Sequence, residues 1–403
     1  MVQSTRGRLK KLRERDPVAR FPWHRFEVLR RGPLREDAFS SPLHTERVAA
    51  RLGLALGVAF TLCFLTGLVS HFMQHQPGWL HWPTSPVWLY RVTQGLHVAS
   101  GIASIPLLVA KLWTVYPKLF TWPPARSLLH GVERGSLLLL VGGSVFEVTT
   151  GLINVARFYP WGFFFTTTHY WVAWITLGAL VMHIAAKATE IRRGLGTPLK
   201  RQDEPDHAPG SLSRRGFIVT VSAATGAVTL VTVGQTVTPL QDLAVLGQRH
   251  ADIGPQHLPV NKSAVEAKVT RDPAYRLAVE GPRPFTMTLE DLRAMPQHTV
   301  RLPIACVEGW SASADWTGVR IRDLLDRAGI AHDAEVEVES MQQKGLYRKS
   351  SLHTPHTRDD RTLLALRLNG AELDLDHGFP CRLIAPDRPG VQQTKWVNRL
   401  AAL

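Results

Sequence analysis

The sequence predicts a multi-domain chain: an all-α bundle of about five transmembrane helices, then a C-terminal α+β domain. Three observations predict it. The 403 residues have a mean hydropathy near zero, −0.04, yet the long apolar runs all precede about Pro239 and the remainder alternates as soluble domains do. The runs reach the roughly 20 residues that a bilayer crossing needs. The Lys and Arg residues between them fall on alternate loops, as spanning helices require. The boundaries follow: a basic tail over 1–47, a four-helix membrane domain over 48–190, a linker and fifth span over 191–240, and a polar domain over 241–403. Three cysteines are too few for a disulfide framework. Cys63, in an apolar run, and Cys381, on a strand, read as packing residues.

The spans are expected at Val48–Met73, Val92–Trp113, Gly135–Ala156, Tyr170–Ala188 and Phe217–Thr238. The formal net charge of +14 is concentrated between Arg6 and Arg51, ahead of the first span. Such a tail marks the cytoplasmic side of a membrane rather than a nucleic-acid partner. Lys111, Lys118, Arg126, Arg134, Lys187, Arg192, Arg193, Lys200 and Arg201 then share that side. The opposite loops, Gln74–Tyr90 and Arg157–Thr168, are poor in charge and rich in interfacial Trp, Tyr and Phe. The protein is expected in the cell membrane, multi-pass, with its polar domain on the outer face. Ser213-Arg-Arg-Gly-Phe-Ile218 looks like an internal twin-arginine export signal, or is a plain positive-inside anchor, and the segment after it is expected to stay in the membrane. Gln202–Gly210 is the linker.

A histidine within a span is costly and therefore a functional candidate. His97 lies in the outer part of the second span. His169 opens the fourth, and His183 follows fourteen residues later. That spacing is nearly four turns, so both rings share a face about 21 Å apart along the axis. His97 and His169 lie at similar depth and suit one haem iron between them. His183 suits a second haem, with His44 as a distant candidate partner, or is a hydrogen-bonded packing residue. Glu147 suits proton transfer or a quinol hydroxyl, or pairs with a polar neighbour. His169-Tyr-Trp-Val-Ala through Val181-Met-His183-Ile-Ala, with Thr66-Gly67 and Thr150-Gly151, resembles the membrane cytochrome b subunits of formate dehydrogenase type. The resemblance implies one or two haem b groups and exchange with quinone or quinol.

Beyond Leu240 the elements are short. Arg276–Pro282 reads as a strand into a turn, and Thr288 caps a short helix. Thr299–Ala305, Glu335–Ser340, Leu363–Arg367 and Arg382–Ala385 read as strands, and Val319–Ala328 as a helix ending at Gly329.

Ile304-Ala-Cys-Val-Glu-Gly-Trp-Ser311 with Asp315-Trp-Thr-Gly318 sets one cysteine in a loop rich in Gly and Trp. A lone thiolate is a soft metal ligand, and no second cysteine at short spacing points to zinc or iron–sulfur. This loop, with Pro259-Val-Asn-Lys262, Asn369-Gly370, His377-Gly-Phe-Pro-Cys-Arg382 and Lys395-Trp396-Val397 in order, resembles the sulfite oxidase family, including the periplasmic methionine sulfoxide reductases. The resemblance implies molybdopterin, with Cys306 on molybdenum. Arg382 and Lys395 suit the pterin phosphate. Asn261, Lys262, Gly309, Ser311 and His377 are further expected cofactor contacts, and Gly318 is expected to allow close approach. Tyr347 falls where the family places an active-site tyrosine near the oxo groups, or is a half-buried strand aromatic. Arg301, Arg348 and Lys349 are candidate oxyanion attractants.

Together these imply a membrane-bound molybdenum oxidoreductase that transfers an oxygen atom on the outer face and exchanges electrons with the quinone pool. Reduction of a small or protein-bound sulfoxide-like substrate is favoured. The alternatives are a sulfite-oxidising dehydrogenase and a non-catalytic membrane cytochrome with an outer ligand-binding domain.

Overall fold

The computed structural model describes residues 18, 21–29, 32–199, 212–247, 249 and 252–403. Residues 1–17, 19, 20, 30 and 31 of the basic tail, Lys200, Arg201 and the linker Gln202–Gly210 lie outside the described residues. Five helices are long and apolar enough to cross a membrane: α1 (Glu46–Gln74), α2 (Leu89–Leu119), α3 (Leu128–Val155), α4 (Phe165–Ala186) and α6 (Arg214–Val233). Most run past the ends that hydropathy marks, because backbone hydrogen bonding continues through polar residues that leave the apolar stripe. A short helix that hydropathy did not mark, α5 (Ala188–Gly196), follows α4.

The chain divides into two compact units. The first holds Met1–Leu62 with Ser100–Thr229. Its core joins Val48 and Leu52 of α1, Leu107 and Ala110 of α2 and Val221 of α6. Gly143 of α3 lies so close to α4 that an added Cβ would sit 2.2 Å from Thr176 Oγ1. The end of α5 is held by Arg51, which donates to the carbonyls of Gly194 at 3.1 Å and Thr197 at 3.0 Å. Those groups have no partner within the helix, so a cation there stabilises it. Outward positions are apolar and exposed, including Leu54, Val58, Val109, Leu138 and Trp171. Such a surface suits lipid rather than water.

The second unit holds Cys63–Ala99 with Leu230–Leu403. It contains α7 (Ala264–Ala267), α8 (Leu289–Ala294), α9 (Ile321–Arg327), α10 (Thr354–Arg358) and two sheets. One sheet has the order β2 (Phe285–Met287), β1 (Leu277–Glu280), β10 (Val397–Ala402), β5 (Val336–Ser340), β6 (Lys349–Leu352). The other has the order β3 (His298–Ala305), β4 (Ser311–Arg320), β7 (Leu363–Leu368), β8 (Ala371–Glu372), with β9 (Arg382–Ile384) also paired to β7. Thr288 caps α8 by accepting from the Asp291 amide at 3.0 Å. Leu277, Leu324, Val338, Leu364 and Leu400 share one fully buried core, and Cys381 lies in it as expected. Each such side chain stabilises the fold by about 1.5–3 kcal/mol.

One expectation is corrected. Residues 311–320 form strand β4, so Val319 lies inside that strand and the helix expected from it starts only at Ile321. An added Cβ at Gly318 would sit 2.1 Å from the Leu364 carbonyl oxygen. Gly318 therefore allows β4 and β7 to approach, not a cofactor. The segment between α1 and α2 belongs to this unit. Trp82 Nε1 and the Tyr90 amide both donate to the Asp387 carboxylate, at 2.8 and 2.6 Å.

Candidate active site

Ala305 pairs with Ser311, which leaves Cys306–Trp310 as the turn of the β3–β4 hairpin. The turn is closed from within. The Cys306 amide donates to the Trp310 carbonyl at 2.9 Å and the Gly309 amide to the Cys306 carbonyl at 3.0 Å. Gly309 adopts φ 91, which only glycine accepts without strain. The turn is also held from outside, where the Thr236 hydroxyl donates to the Gly309 carbonyl and the Ser311 amide donates to the Gln235 carbonyl at 2.9 Å. Cys306 is 1% exposed. It faces a cleft lined also by Pro259, Asn261, Trp310, Arg382, Gly390 and Lys395. An added Cβ at Gly390 would sit 2.9 Å from the Ala305 carbonyl oxygen, so the wall needs glycine there.

The electrostatics of the cleft are unusual. Arg382 and Lys395 are both buried, and among the described residues neither pairs with a carboxylate. Arg382 donates to the carbonyls of His377 and Gln393, each at 3.1 Å, while its Nε has no protein partner. The Lys395 ammonium donates to the carbonyls of Lys262 and Asp376, each at 2.8 Å. Burial pulls Arg382 down to about 9, and burial with the neighbouring Arg382 pulls Lys395 well below its ordinary value. Burial, then the Glu308 carboxylate, pushes the Cys306 thiol up. A protein does not keep two desolvated cations for their own sake, because each costs several kcal/mol unless an anion joins them. A phosphate-bearing cofactor whose metal takes a thiolate supplies both missing partners, and the donor set fits it.

Of the other expected contacts, Asn261 lines the cleft and its Oδ1 accepts from the Lys262 amide at 2.9 Å. Lys262 offers its carbonyl to Lys395 and sends its ammonium toward Gln342 at 3.4 Å. The Ser311 hydroxyl is buried without a partner. His377 stands behind the cleft. Its Nε2 donates to the Pro255 carbonyl at 2.7 Å, its own carbonyl holds Arg382, and burial with Arg382 pulls it down to about 4. Tyr347 sits half-buried in a short turn, its hydroxyl 3.5 Å from Gln74 Oε1, and burial, then the Cys306 sulfur, raises its phenol.

Residues 262–403 match the family model described as the oxidoreductase molybdopterin binding domain. The C-terminal part of the chain is therefore a molybdopterin-binding oxidoreductase domain. Its relatives include the mitochondrial sulfite oxidase of Drosophila melanogaster, 29% identical over 36% of this chain and 28% of that one. The sulfite oxidase of Gallus gallus is 31% identical over 36% of this chain and 37% of its own. An uncharacterized oxidoreductase, YuiH, of Bacillus subtilis is 31% identical over 28% of this chain and 57% of its own. The chain thus spans between about a quarter and three fifths of the lengths of these relatives.

The histidines lie ahead of the molybdopterin domain in sequence. His97, on α2 in the second unit, donates through Nδ1 to the Cys63 carbonyl at 2.8 Å. Cys63 thus orients a ring as well as filling space. Gly67 passes the ring so closely that an added Cβ would sit 2.9 Å from His97 Cε1. His169, on α4 in the first unit, has the same kind of neighbour. Its Nδ1 lies 3.0 Å from the Thr150 hydroxyl, which already donates to the Phe146 carbonyl and so accepts from the ring. Its Nε2 lies 2.9 Å from Glu147. Each Thr-Gly pair thus borders one expected ligand. His183 is half-buried on α4 and interacts electrostatically with Lys111, Lys187 and Glu133. The His44 ring stands 5.5 Å from Trp113, with its Nε2 buried and without a partner among the described residues. Sequence reasoning did not single out Trp310 or Gly390, nor Ser70, Gln74, Tyr90 and Gln94 of the helices. Tyr90, Gln94 and His97 recur at i, i+4 and i+7, a polar stripe in an apolar span that was readable as a face.

Proposed function

We propose that this protein is a membrane-bound molybdenum oxidoreductase that transfers an oxygen atom on the outer face and exchanges electrons with the quinone pool through b-type haem. The observation that carries it is Cys306, held in a tight hairpin turn beside two buried cations without carboxylate partners. When bound, the cofactor supplies a metal that exchanges an oxygen atom and two electrons with substrate. The chain supplies the rest. Cys306 ligates through its sulfur, Arg382 and Lys395 neutralise the anionic part of the cofactor, and Asn261 and Ser311 offer hydrogen bonds. Tyr347 donates its phenol proton toward a substrate oxygen. His97 and His169 would each present Nε2 to a haem iron, with Nδ1 fixed by an oxygen from the preceding helix, the arrangement that sets a ligating tautomer. Iron at His169 requires Glu147 to turn aside, which leaves that carboxylate as a proton acceptor for a quinol hydroxyl. His183 and His44 are the candidates for a second haem.

Reduction of a sulfoxide-like substrate is the favoured direction. The cations that were candidates for attracting an oxyanion are already paired: Arg301 with Asp315 at 3.1 Å, Arg348 with Glu339, and Lys349 with Glu337 at 2.8 Å. Sulfite oxidation is the second possibility, favoured by the names of the relatives. Molybdenum and haem are to be counted per chain in purified protein, and turnover of sulfoxides with a reduced dye compared with turnover of sulfite with an acceptor. Absence of molybdenum overturns the proposal, and faster sulfite turnover reverses the direction.

A further inference from the structure

The outer ends of α1 and α2 belong to the same compact unit as the cysteine hairpin, and they meet it through a continuous hydrogen-bonded chain. The Tyr347 hydroxyl donates to Gln74 Oε1 at 3.5 Å. Gln74 Nε2 donates to the Ser70 hydroxyl at 3.1 Å, and Ser70 donates to Gln94 Oε1 at 3.2 Å. Tyr90 also donates to Ser70, at 3.3 Å. Gln94 Nε2 then donates to the Val307 carbonyl at 3.3 Å, one residue beyond Cys306. Every donor points the same way, from the Tyr347 phenol at one end to the residue after Cys306 at the other. Ser70, Tyr90 and Gln94 are all buried. A satisfied buried network of this kind rigidifies what it touches.

We propose that Gln94 is a positioning residue for Cys306, which rests on the molybdenum proposed above. Its amide clamps the hairpin turn through Val307, and through Ser70 and Gln74 the same chain fixes the Tyr347 phenol. The helix that carries His97 one turn further on thereby braces the turn that carries Cys306.

The test uses the full-length protein in detergent, with molybdenum and haem counted for each variant. Gln94→Leu removes both hydrogen bonds. It is expected to keep molybdenum and haem, to shift the molybdenum paramagnetic resonance signal and the sulfur-to-metal absorption band, and to lower kcat about three- to tenfold with KM unchanged. Gln94→Glu keeps the shape and donates to Val307 only when protonated. It is expected to recover both the signal and kcat as pH falls, which a merely structural role would not do. A molybdenum-replete Gln94→Leu with an unchanged signal and kcat overturns the inference alone, as does a Gln94→Glu indistinguishable from wild type at every pH. Should Gln94→Leu fail to accumulate, Gln94→Glu decides. A wild-type chain without molybdenum overturns the proposed function and the inference with it.

Discussion

The cysteine cleft and the helix-borne histidines are held in place in opposite ways. The cleft stores charge: Arg382 and Lys395 are desolvated, donate to carbonyls and lie over the Trp316 and Trp396 rings, with no carboxylate partner among the described residues, so the fold carries an electrostatic deficit that an anion relieves. The histidines store geometry. His97 Nδ1 is set by the Cys63 carbonyl and His169 Nδ1 by the Thr150 hydroxyl, each beside a glycine, and Glu147 touches the other nitrogen of His169. Loss of a cleft residue should therefore act on affinity, whereas loss of a helix residue should act on orientation.

Removing the sulfur breaks the comparison most severely. Cys306→Ser replaces a soft ligand with a hard hydroxyl in the same tight turn. Turnover is expected to fall by roughly three orders of magnitude or more, as the loss of a group that touches the reacting centre does. Haem per chain should be unchanged, which an optical spectrum checks beside metal analysis. Retained turnover in Cys306→Ser would mean that the metal is held elsewhere.

Lys395→Met sharpens the role of stored charge. Cofactor occupancy is expected to fall about 10- to 100-fold. The cofactor-free protein should behave differently. Removing a buried charge stabilises it, leaving the Lys262 and Asp376 carbonyls without a donor destabilises it, and the two effects nearly offset. The Tm without cofactor is expected to move by no more than about 3 °C, read by calorimetry. A large drop in that Tm would make Lys395 a structural residue.

The two glycines test stored geometry, with opposite expected outcomes. Both lie within helices, where Ala is favoured over Gly by about 1 kcal/mol. At Gly67 the new methyl would lie 2.9 Å from the His97 ring, at Gly151 3.9 Å from the His169 ring. The first distance forces the imidazole to move and the second is ordinary contact. Gly67→Ala is expected to lower haem occupancy about tenfold. Gly151→Ala is expected to keep haem and raise Tm slightly, read from the Soret band during melting. Equal loss in both variants would dissolve the distinction.

How much of this was legible depends on the physics behind each residue. The spans and the short strands were readable because apolar periodicity is a local signal. The cysteine turn was readable through a lone soft ligand and its resemblance to a known family loop. The strand at residues 311–320 was missed because its Ser, Ala and Gly residues carry little strand propensity, and pairing with both β3 and β7 decides it. Gln94 and Ser70 were missed for a different reason. Each is an ordinary polar residue in a helix, and their meaning comes from a carbonyl more than two hundred residues away in sequence.

Acidification separates the two regions once more. His377 and His356 of the C-terminal domain are both 1% exposed. Burial, then Arg382, holds His377 down at about 4, while burial, then Arg388, holds His356 at about 3. In the unfolded chain both titrate near 6.5. Between that value and about pH 4 the unfolded state binds more protons than the native one, so stability falls as pH falls and is fully present only above about 6.5. Each group contributes about 1.4 kcal/mol for every pH unit crossed. The expected result is a Tm for the C-terminal domain that is flat from pH 8 to 7 and declines steadily from about 6.5 downward, followed by the near-ultraviolet signal of the buried Trp316 and Trp396. His377→Gln should flatten the upper part of that decline without changing haem. A Tm independent of pH down to 4 would mean that neither ring is held neutral in the folded domain.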